Sequence, residues 1–197
     1  ITQLGKGGYL NTNYVNKDGK PIASTGYAFD AVVKETNPNK LLLIGTKTSG
    51  WSEVLEWYSL HLSEEKKAEA DRLGKQIADQ KGENIDWKLV EEFIRKEAHF
   101  EQVRIAIVEP GSTQEQLEEY PKRLLNAFKD VVDKKKNTKI IFDISNGFRS
   151  MPLYITMFVR YAGMINRSEI KYSMYYGMFE ARKGSNACLL YTSPSPR

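Results

Sequence analysis

The stretch Asp143-Ile-Ser-Asn-Gly-Phe-Arg-Ser-Met-Pro152 follows the apolar run Ile140–Phe142 and leads into the apolar segment Pro152–Ile165. An apolar run without alternation predicts a strand buried on both faces, as in a parallel sheet covered by helices. Asn146-Gly147 tolerates positive φ, and proline suits the first turn of a helix. The stretch therefore predicts a buried strand, a polar loop and a helix start, which together form the repeating unit of an α/β fold.

The rest of the chain repeats this pattern, because apolar runs alternate with segments of helical spacing. Such alternation predicts a Rossmann-like three-layer α/β fold with a mostly parallel sheet. Asp18-Gly19 between two strand-like runs, Tyr9–Val15 and Pro21–Thr25, predicts an inserted β-hairpin that protrudes after the first strand. Mixed Glu and Lys in Ser63–Lys96 predict a helical insertion, either a solvated helical pair or a contact with another chain. The predicted strands are Ile1–Leu4, Lys40–Ile44, Val103–Val108, Lys139–Ile144 and Ile170–Tyr176, and the predicted helices are Thr25–Thr36, Trp51–Lys81, Asp86–Phe100, Gln114–Lys135 and Pro152–Ile165.

Composition narrows the class of protein. The 197 residues include 41% apolar and 27% charged side chains, which is normal for a soluble globular chain that buries a core. The net charge of +4 permits a polyanionic ligand, whereas a protein that coats long nucleic acid would carry more Lys and Arg on one face. The single cysteine, Cys188, allows no internal disulfide, so a cytoplasmic setting is expected, and no apolar run is long enough to cross a membrane.

The composition changes abruptly near the C-terminus. We predict that residues 1–181 form the domain, with a slightly truncated first strand, and that 182–197 do not continue it. The segment Cys188–Arg197 resembles translated sequencing-adapter read-through, and the alternative is a native Pro/Ser linker.

Ligands of open α/β sheets bind where strands end and helices begin, so the loops after the strands carry the candidate site. After the first strand, Gly5-Lys-Gly-Gly8 exposes backbone N–H groups beside a lysine, although a simple tight turn explains the glycines equally well. After the second strand, Gly45-Thr-Lys-Thr-Ser49 offers hydroxyls and a cation suited to phosphate or ribose, and Ser49 or Ser52 is an alternative helix cap.

The loops after the last three strands also allow both a structural and a ligand-binding interpretation. Pro110-Gly111 reads as a turn, with Ser112 or Thr113 capping the next helix. Arg149 places a forked cation near a helix start, where phosphate is already favoured, and an internal salt bridge is its alternative. Tyr176 either stacks on a base or packs against the sheet. The candidate ligand-binding residues are Gly5, Lys6, Gly7, Gly8, Tyr9, Gly45, Thr46, Lys47, Thr48, Ser49, Pro110, Gly111, Asn146, Gly147, Phe148, Arg149, Ser150, Tyr176 and Gly177.

These motifs, in this order and spacing, resemble the CRISPR-associated Rossmann-fold (CARF) family over about residues 1–181. The resemblance is to the subgroup with an Asp-(Ile/Leu)-Thr-His-Gly-Phe-Arg-Ser loop. This chain has Ser145-Asn146 where that loop has Thr-His, so a role of the imidazole in chemistry does not carry over. The quoted motifs are Gly5–Tyr9, Gly45-Thr46 with Trp51, Pro110-Gly111, Asp143–Pro152 and Tyr175–Gly177.

The resemblance implies a symmetric homodimer that binds a cyclic oligoadenylate, a tetra- or hexaadenylate, on its two-fold axis in type III CRISPR defence. It also implies a C-terminal effector beyond this fragment, often a HEPN ribonuclease, that ligand binding switches on. No cofactor, metal, membrane or long nucleic acid is implied.

Three other functions can be compared with the residues present. A ring nuclease would cleave the ring by 2′-hydroxyl attack without a metal, with Lys6, Thr46 and Ser150 as catalytic candidates. A HEPN site needs Arg-x4–6-His, which Arg95 and His99 miss with three residues between them. A different dinucleotide-binding protein would need an acidic residue after the second strand, where Gly45-Thr46 stands.

Overall fold

The fold is α/β and confirms the predicted Rossmann-like three-layer class, with parallel strands flanked by helices and a small antiparallel hairpin. The structure is a computed structural model that describes residues 1–8, 10–60, 62–132, 138–146, 151–166, 170–177 and 187–193. It divides into two compact units, one holding residues 1–3, 9–38 and the described residues from 132 onward, the other holding residues 4–8 and 39–131.

The observed elements follow the predicted ones closely, except in the helical insertion and at the C-terminus. The strands are β1 (Thr2–Gln3), β2 (Thr12–Val15), β3 (Pro21–Thr25), β4 (Lys40–Gly45), β5 (Gln102–Ile107), β6 (Lys139–Asp143), β7 (Lys171–Gly177) and β8 (Ala187–Ser193). The helices are α1 (Ala28–Thr36), α2 (Trp51–Ser59), α3 (Glu64–Asp79), α4 (Trp87–Glu97), α5 (Gln114–Val131) and α6 (Met151–Asn166).

In the first unit, the strands β1, β6 and β7 run parallel. Lys139 to Asp143 of β6 pair in register with Lys171 to Tyr175 of β7. Thr2 of β1 pairs with Asp143 on the other side of β6. The carboxyl ends of β1, β6 and β7 therefore lie at one edge, where the predicted polar loop begins.

The predicted hairpin is present in the same unit. β2 and β3 pair antiparallel, and Gly19 at φ +76° forms the turn. The Asn16 side chain accepts the backbone N–H groups of Asp18 and Lys20, each at 3.0 Å, which explains why this Asn-x-Asp-Gly sequence turns here. The hairpin does not stand apart as expected, because β2 pairs parallel with β8.

The domain boundary at residue 181 stays a prediction, and the described part of the segment after it is a strand of the sheet. Ala187–Ser193 forms β8, which pairs antiparallel with β7 and parallel with β2. Its Cys188 and Leu190 are buried in a cluster with Tyr14 and Tyr175. The order of strands in this unit is β3-β2-β8-β7-β6-β1. The adapter-like origin of the segment stays a prediction.

The second unit is built on the parallel pair β4 and β5. Leu41 to Ile44 of β4 are all buried, as the continuous apolar run predicts. Helix α5 packs against this pair through Tyr120, Leu124 and Phe128. Leu117, in the first turn of α5, is 53% exposed.

The open side of β5 is covered by helix α4. The Glu91 carboxylate accepts the backbone N–H of Ile105 at 2.7 Å and a guanidinium N–H of Arg104 at 3.0 Å. A carboxylate that binds a strand N–H occupies an edge on which another strand would otherwise pair. This contact holds the insertion against the sheet.

The insertion is a helical pair, as predicted, but Trp51–Lys81 is not one helix. The chain leaves the helical path after Ser59, whose hydroxyl donates to the carbonyl of Glu56 at 2.7 Å, and α3 starts after Ser63 with extended backbone. Lys66 of α3 and Glu97 of α4 form an ion pair at 2.6 Å. Among the described residues, no helix combines the length and apolar character that crossing a bilayer requires.

Candidate functional site

The glycine loop, residues 5–8, has a conformation that glycine alone adopts easily. Gly7 and Gly8 have φ of +92° and +74°. A Cβ on Gly7 would overlap the carboxylate of Glu53, with its Cδ 2.7 Å away. The backbone N–H of Gly8 donates to Glu53 Oε2 at 3.0 Å and Oε1 at 3.1 Å. The glycines therefore expose a backbone donor, and a carboxylate already occupies it.

The hydroxyl loop, residues 45–50, packs tightly around a buried tryptophan. A Cβ on Gly45 would lie 2.7 Å from Trp51 Cζ2 and 2.9 Å from Ser49 Oγ, so only glycine fits there. The indole N–H of Trp51 donates to the carbonyl of Thr46 at 2.8 Å. Trp51 also contacts Trp87 of α4, with ring centroids 5.1 Å apart. Trp51 therefore connects the hydroxyl loop to the helical insertion.

Two hydrogen bonds join Leu4 and Gly5, where the glycine loop begins, to the hydroxyl loop. The backbone N–H of Gly50 donates to the carbonyl of Gly5 at 3.0 Å. The Ser49 hydroxyl donates to the carbonyl of Leu4 at 3.1 Å and accepts the N–H of Thr46 at 2.9 Å. Ser49 therefore does not cap α2, and neither does Ser52, since the N-cap is Gly50 without a side-chain bond. The structure brings these two predicted loops together as one surface.

The hydroxyl loop presents three hydroxyls close to one another. Thr46 Oγ1 lies 3.3 Å from Thr48 Oγ1 and 3.3 Å from Ser49 Oγ. Thr48 is exposed, and Thr46 is half-buried. Thr46, a catalytic candidate, therefore has a hydroxyl that is already part of a local hydrogen-bonded group.

The two predicted lysines, Lys6 and Lys47, differ in their surroundings. Lys47 forms an ion pair with Glu83, Nζ to Oε1 at 2.9 Å, and this contact raises the pKa of Lys47. A Cβ on Gly82 would overlap the carbonyl oxygen of Lys47, so the turn after α3 lies directly against the hydroxyl loop. Lys6 at the tip of the glycine loop is exposed, and it has no ion-pair partner among the residues that the structure describes.

The loop after β5 has the structural role that the sequence favoured. The N–H of Gln116 donates to the Thr113 hydroxyl at 3.3 Å, and the Gln116 side chain accepts the N–H of Ser112 at 2.9 Å. This reciprocal pair caps α5. Gly111 at φ +77° makes the turn after Pro110.

In the first unit, Asp143 anchors the loop after β6. It is 4% exposed, its Oδ1 accepts the N–H of Ser145 at 2.9 Å, and its Oδ2 accepts the Thr2 hydroxyl at 2.7 Å. Burial raises the pKa of Asp143, and the hydrogen bonds from Ser145 and Thr2 oppose that rise. Asp143 therefore holds the start of this loop and ties it to β1.

The end of β7 is tied to the same loop. The backbone N–H of Gly177 donates to the Ser145 hydroxyl at 2.8 Å. A Cβ on Gly177 would lie 3.1 Å from Tyr14 Cε1 and 3.3 Å from Ser145 Oγ, so close packing requires glycine here. Tyr176 is half-buried. The N–H of Gly177 therefore already donates a hydrogen bond within the protein.

Several predicted residues lie outside the part of the chain that the structure describes. In the described ranges, no group of three or more His, Cys, Asp or Glu side chains is arranged to hold a metal ion. The predicted ligand-binding residues outside those ranges are Tyr9, Gly147, Phe148, Arg149 and Ser150.

Two acidic residues beside the predicted loops, Glu53 and Glu83, were not predicted from the sequence. Glu53 stands three residues after the N-cap Gly50, a position from which a glutamate often reaches back toward backbone N–H groups. That spacing was a usable signal. Glu83 lies 36 residues from Lys47 in the chain, and no local pattern connects the two.

Comparison with known proteins gives one family and one relative. The family described as CRISPR system endoribonuclease Csx1, CARF domain, matches residues 1–177. A protein named CRISPR-associated protein MJ1674, from Methanocaldococcus jannaschii, is similar to this chain, with 21% identity over 182 residues. The similarity covers 85% of this chain and 28% of that protein, so the chain spans less than a third of the relative's length.

Proposed function

Since this chain belongs to the CARF domain family of the CRISPR system endoribonuclease Csx1, we propose that it is a sensor domain that binds cyclic oligoadenylate in type III CRISPR defence. The ligand is a ring of adenylates joined by phosphodiesters, either the tetra- or the hexaadenylate. Binding regulates an effector that is joined to the sensor.

The observation that carries this proposal is the single surface formed by the glycine loop and the hydroxyl loop. Ser49 and Gly50 join the two loops through the carbonyls of Leu4 and Gly5. The surface presents the Gly8 N–H, which donates to Glu53, together with three clustered hydroxyls and two lysines. Donors of these kinds bind phosphate and ribose oxygens. Lys6 is exposed at its tip, and Lys47 stands in the hydroxyl loop.

A homodimer suits this ligand because a ring with two-fold symmetry matches two copies of one surface. Helix α6 supports the proposed dimer, since Leu153, Met157 and Met164 are 71%, 60% and 79% exposed. Apolar side chains grouped on one helix in this way favour burial against a partner. Met157→Glu should therefore give a monomer in light scattering, whereas Leu89→Glu, a matched change on α4, should not.

The effector is proposed to lie outside this domain. The chain spans only 28% of MJ1674, so a relative of this kind has ample length for further domains. A HEPN ribonuclease joined at the C-terminal side is the effector that we propose, because the matching family is described as the CARF domain of a CRISPR system endoribonuclease. Arg95 and His99 of this chain have three residues between them and miss the spacing of a HEPN site.

Calorimetry with cyclic tetraadenylate and cyclic hexaadenylate tests the proposal. We expect heat with one of the rings, one ring bound for each pair of chains, and little heat with a linear oligoadenylate of the same length. The affinity should fall as salt rises, because phosphates bound by lysines release counterions. Absence of heat with both rings at low salt would overturn the proposal.

Ring cleavage is the second candidate function. The half-buried Thr46 hydroxyl, within 3.3 Å of two others, favours it, since grouped donors stabilise the charge that develops on a phosphate under 2′-hydroxyl attack. Incubating each ring with the protein in EDTA and separating the products distinguishes the two functions. A ring nuclease gives linear products that Thr46→Val abolishes, and a pure sensor returns the intact ring.

A further inference from the structure

The Glu53 carboxylate occupies the backbone donor of the glycine loop. Both of its oxygens accept the N–H of Gly8, at 3.0 and 3.1 Å. A carboxylate that receives a backbone N–H on two oxygens makes the contact that a phosphate group would make at the same donor. The donor is thus exposed to solvent and already bound to an anion of the protein itself.

The backbone around Glu53 has the shape that this contact needs. A side chain on Gly7 would overlap the carboxylate, and a Cβ on Gly50 would lie 3.5 Å from Oε2 and 3.0 Å from Gly7 Cα. Glycine at position 7 therefore leaves room for the carboxylate, and glycine at position 50 lets the hydroxyl loop pack closely against Gly7. Glu53 also lies in the first turn of α2, where the helix dipole favours a negative charge.

A tethered carboxylate competes strongly with free anions. Its effective concentration at the Gly8 N–H is about millimolar or higher, because it belongs to the same folded chain. A single phosphate group must displace the Glu53 carboxylate and gains only one contact for the one that is lost. It must also approach the negative charge of Glu53. A ring with several phosphates replaces one contact and gains others elsewhere at the same time.

We propose that Glu53 is a specificity-determining residue, a resident anion that keeps small phosphate compounds out of the glycine loop and yields only to a ligand that brings several phosphates at once. The statement about rings depends on the proposed function, whereas the statement about small anions does not. When the ligand binds, the Glu53 side chain leaves the Gly8 N–H, which becomes available to a phosphate oxygen.

The test compares Glu53→Gln with the parent and with Glu56→Gln. Glutamine keeps the shape and one acceptor oxygen but removes the charge, and Glu56 is an exposed glutamate on the same helix, so its variant has the same change in net charge. Protein labelled with 15N-glycine reports on the Gly8 amide by NMR, and calorimetry measures ring affinity. The probes are sodium pyrophosphate, AMP and the cyclic hexa- and tetraadenylates.

We expect pyrophosphate and AMP at millimolar concentration to shift the Gly8 amide in Glu53→Gln but not in the parent or Glu56→Gln. We expect the ring to bind Glu53→Gln roughly two- to fivefold more tightly, as removal of one partly exposed like charge predicts. Equal or weaker binding of both kinds of probe by Glu53→Gln would overturn the inference, because it would make Glu53 a support of the loop. If no ring binds any variant while the small anions still select Glu53→Gln, the proposed function fails and the inference stands.

Discussion

The hydroxyl of Ser145 accepts the backbone N–H of Gly177 at 2.8 Å, so the loop after β6 is tied to the last residue of β7. Ser145 also donates its own N–H to Asp143, which receives the hydroxyl of Thr2. Three parallel strand ends are therefore joined by one chain of hydrogen bonds.

Ser145→Ala should destabilise the fold. It leaves the part-buried N–H of Gly177 without its acceptor, at a cost of about 1–2 kcal/mol in the free energy of unfolding. Ser145→Thr keeps the hydroxyl and should unfold within about 0.5 kcal/mol of the parent, as conservative changes do. Urea unfolding followed by circular dichroism measures both. Equal stability of the alanine and threonine variants would contradict the role given to the hydroxyl.

Asp143 should make stability depend on pH. Burial raises its pKa above the usual 3.8, so the folded protein holds the proton more tightly than the unfolded chain does. The free energy of unfolding should therefore fall as the pH rises from about 4 through the folded pKa of Asp143. Asp143→Asn removes that contribution, so its urea midpoint should vary less than the parent's between pH 4 and 7. Identical pH profiles would show that another group is responsible.

Asp143→Ala tests the hydrogen bonds separately from the charge. It leaves the Ser145 N–H and the Thr2 hydroxyl unpaired in a buried place, so it should be about 2–3 kcal/mol less stable than Asp143→Asn at every pH. The asparagine variant retains an oxygen for the Ser145 N–H and is its matched control. An alanine variant as stable as the asparagine variant would mean that water replaces the carboxylate.

Lys47→Ala should affect ligand binding far more than stability. Its ion pair with Glu83 joins two exposed side chains, and such pairs contribute little to folding. Loss of one phosphate contact should weaken ring binding roughly tenfold. Lys67→Ala, which breaks the exposed pair with Glu64, is the matched control. If both variants bind the ring as the parent does, Lys47 belongs to the insertion contact alone.

Glu91→Ala should loosen the helical insertion. The variant removes the acceptor of the Ile105 N–H and the partner of Arg104, at a cost of about 1–3 kcal/mol. Glu91→Gln keeps one oxygen for the strand and should lose less. Amide hydrogen exchange should show faster exchange at Ile105 in the alanine variant. Unchanged exchange there would contradict the edge-covering role.

The rate at which the Cys188 thiol reacts tests whether β8 lies in the sheet. It is fully buried and is the single cysteine of the chain, so an aromatic disulfide reagent should react with it slowly in the folded protein and rapidly in urea. Fast reaction in native conditions would show that Ala187–Ser193 does not stay in the sheet. That result would agree with the sequence prediction that residues 182–197 lie outside the domain.

Local patterns were enough for most of the fold. Continuous apolar runs such as Leu41–Ile44 predict buried parallel strands, because a strand covered on both faces has no polar side. The hairpin was predictable because Asn16 and Gly19 satisfy a turn within a few residues. The break after Ser59 was not, because the helical pattern of the sequence continues through it and α3 begins only after Ser63.

The sequence by itself determined the α/β class, the strand-end loops and the family resemblance, because these depend on periodicity and on motifs a few residues long. The tertiary structure alone decided what those loops contact. Glu53 meets Gly8 from 45 residues away, and Glu83 meets Lys47 from 36 residues away. Contacts of that kind depend on how whole elements pack, and chain folding brings them together without leaving a local pattern.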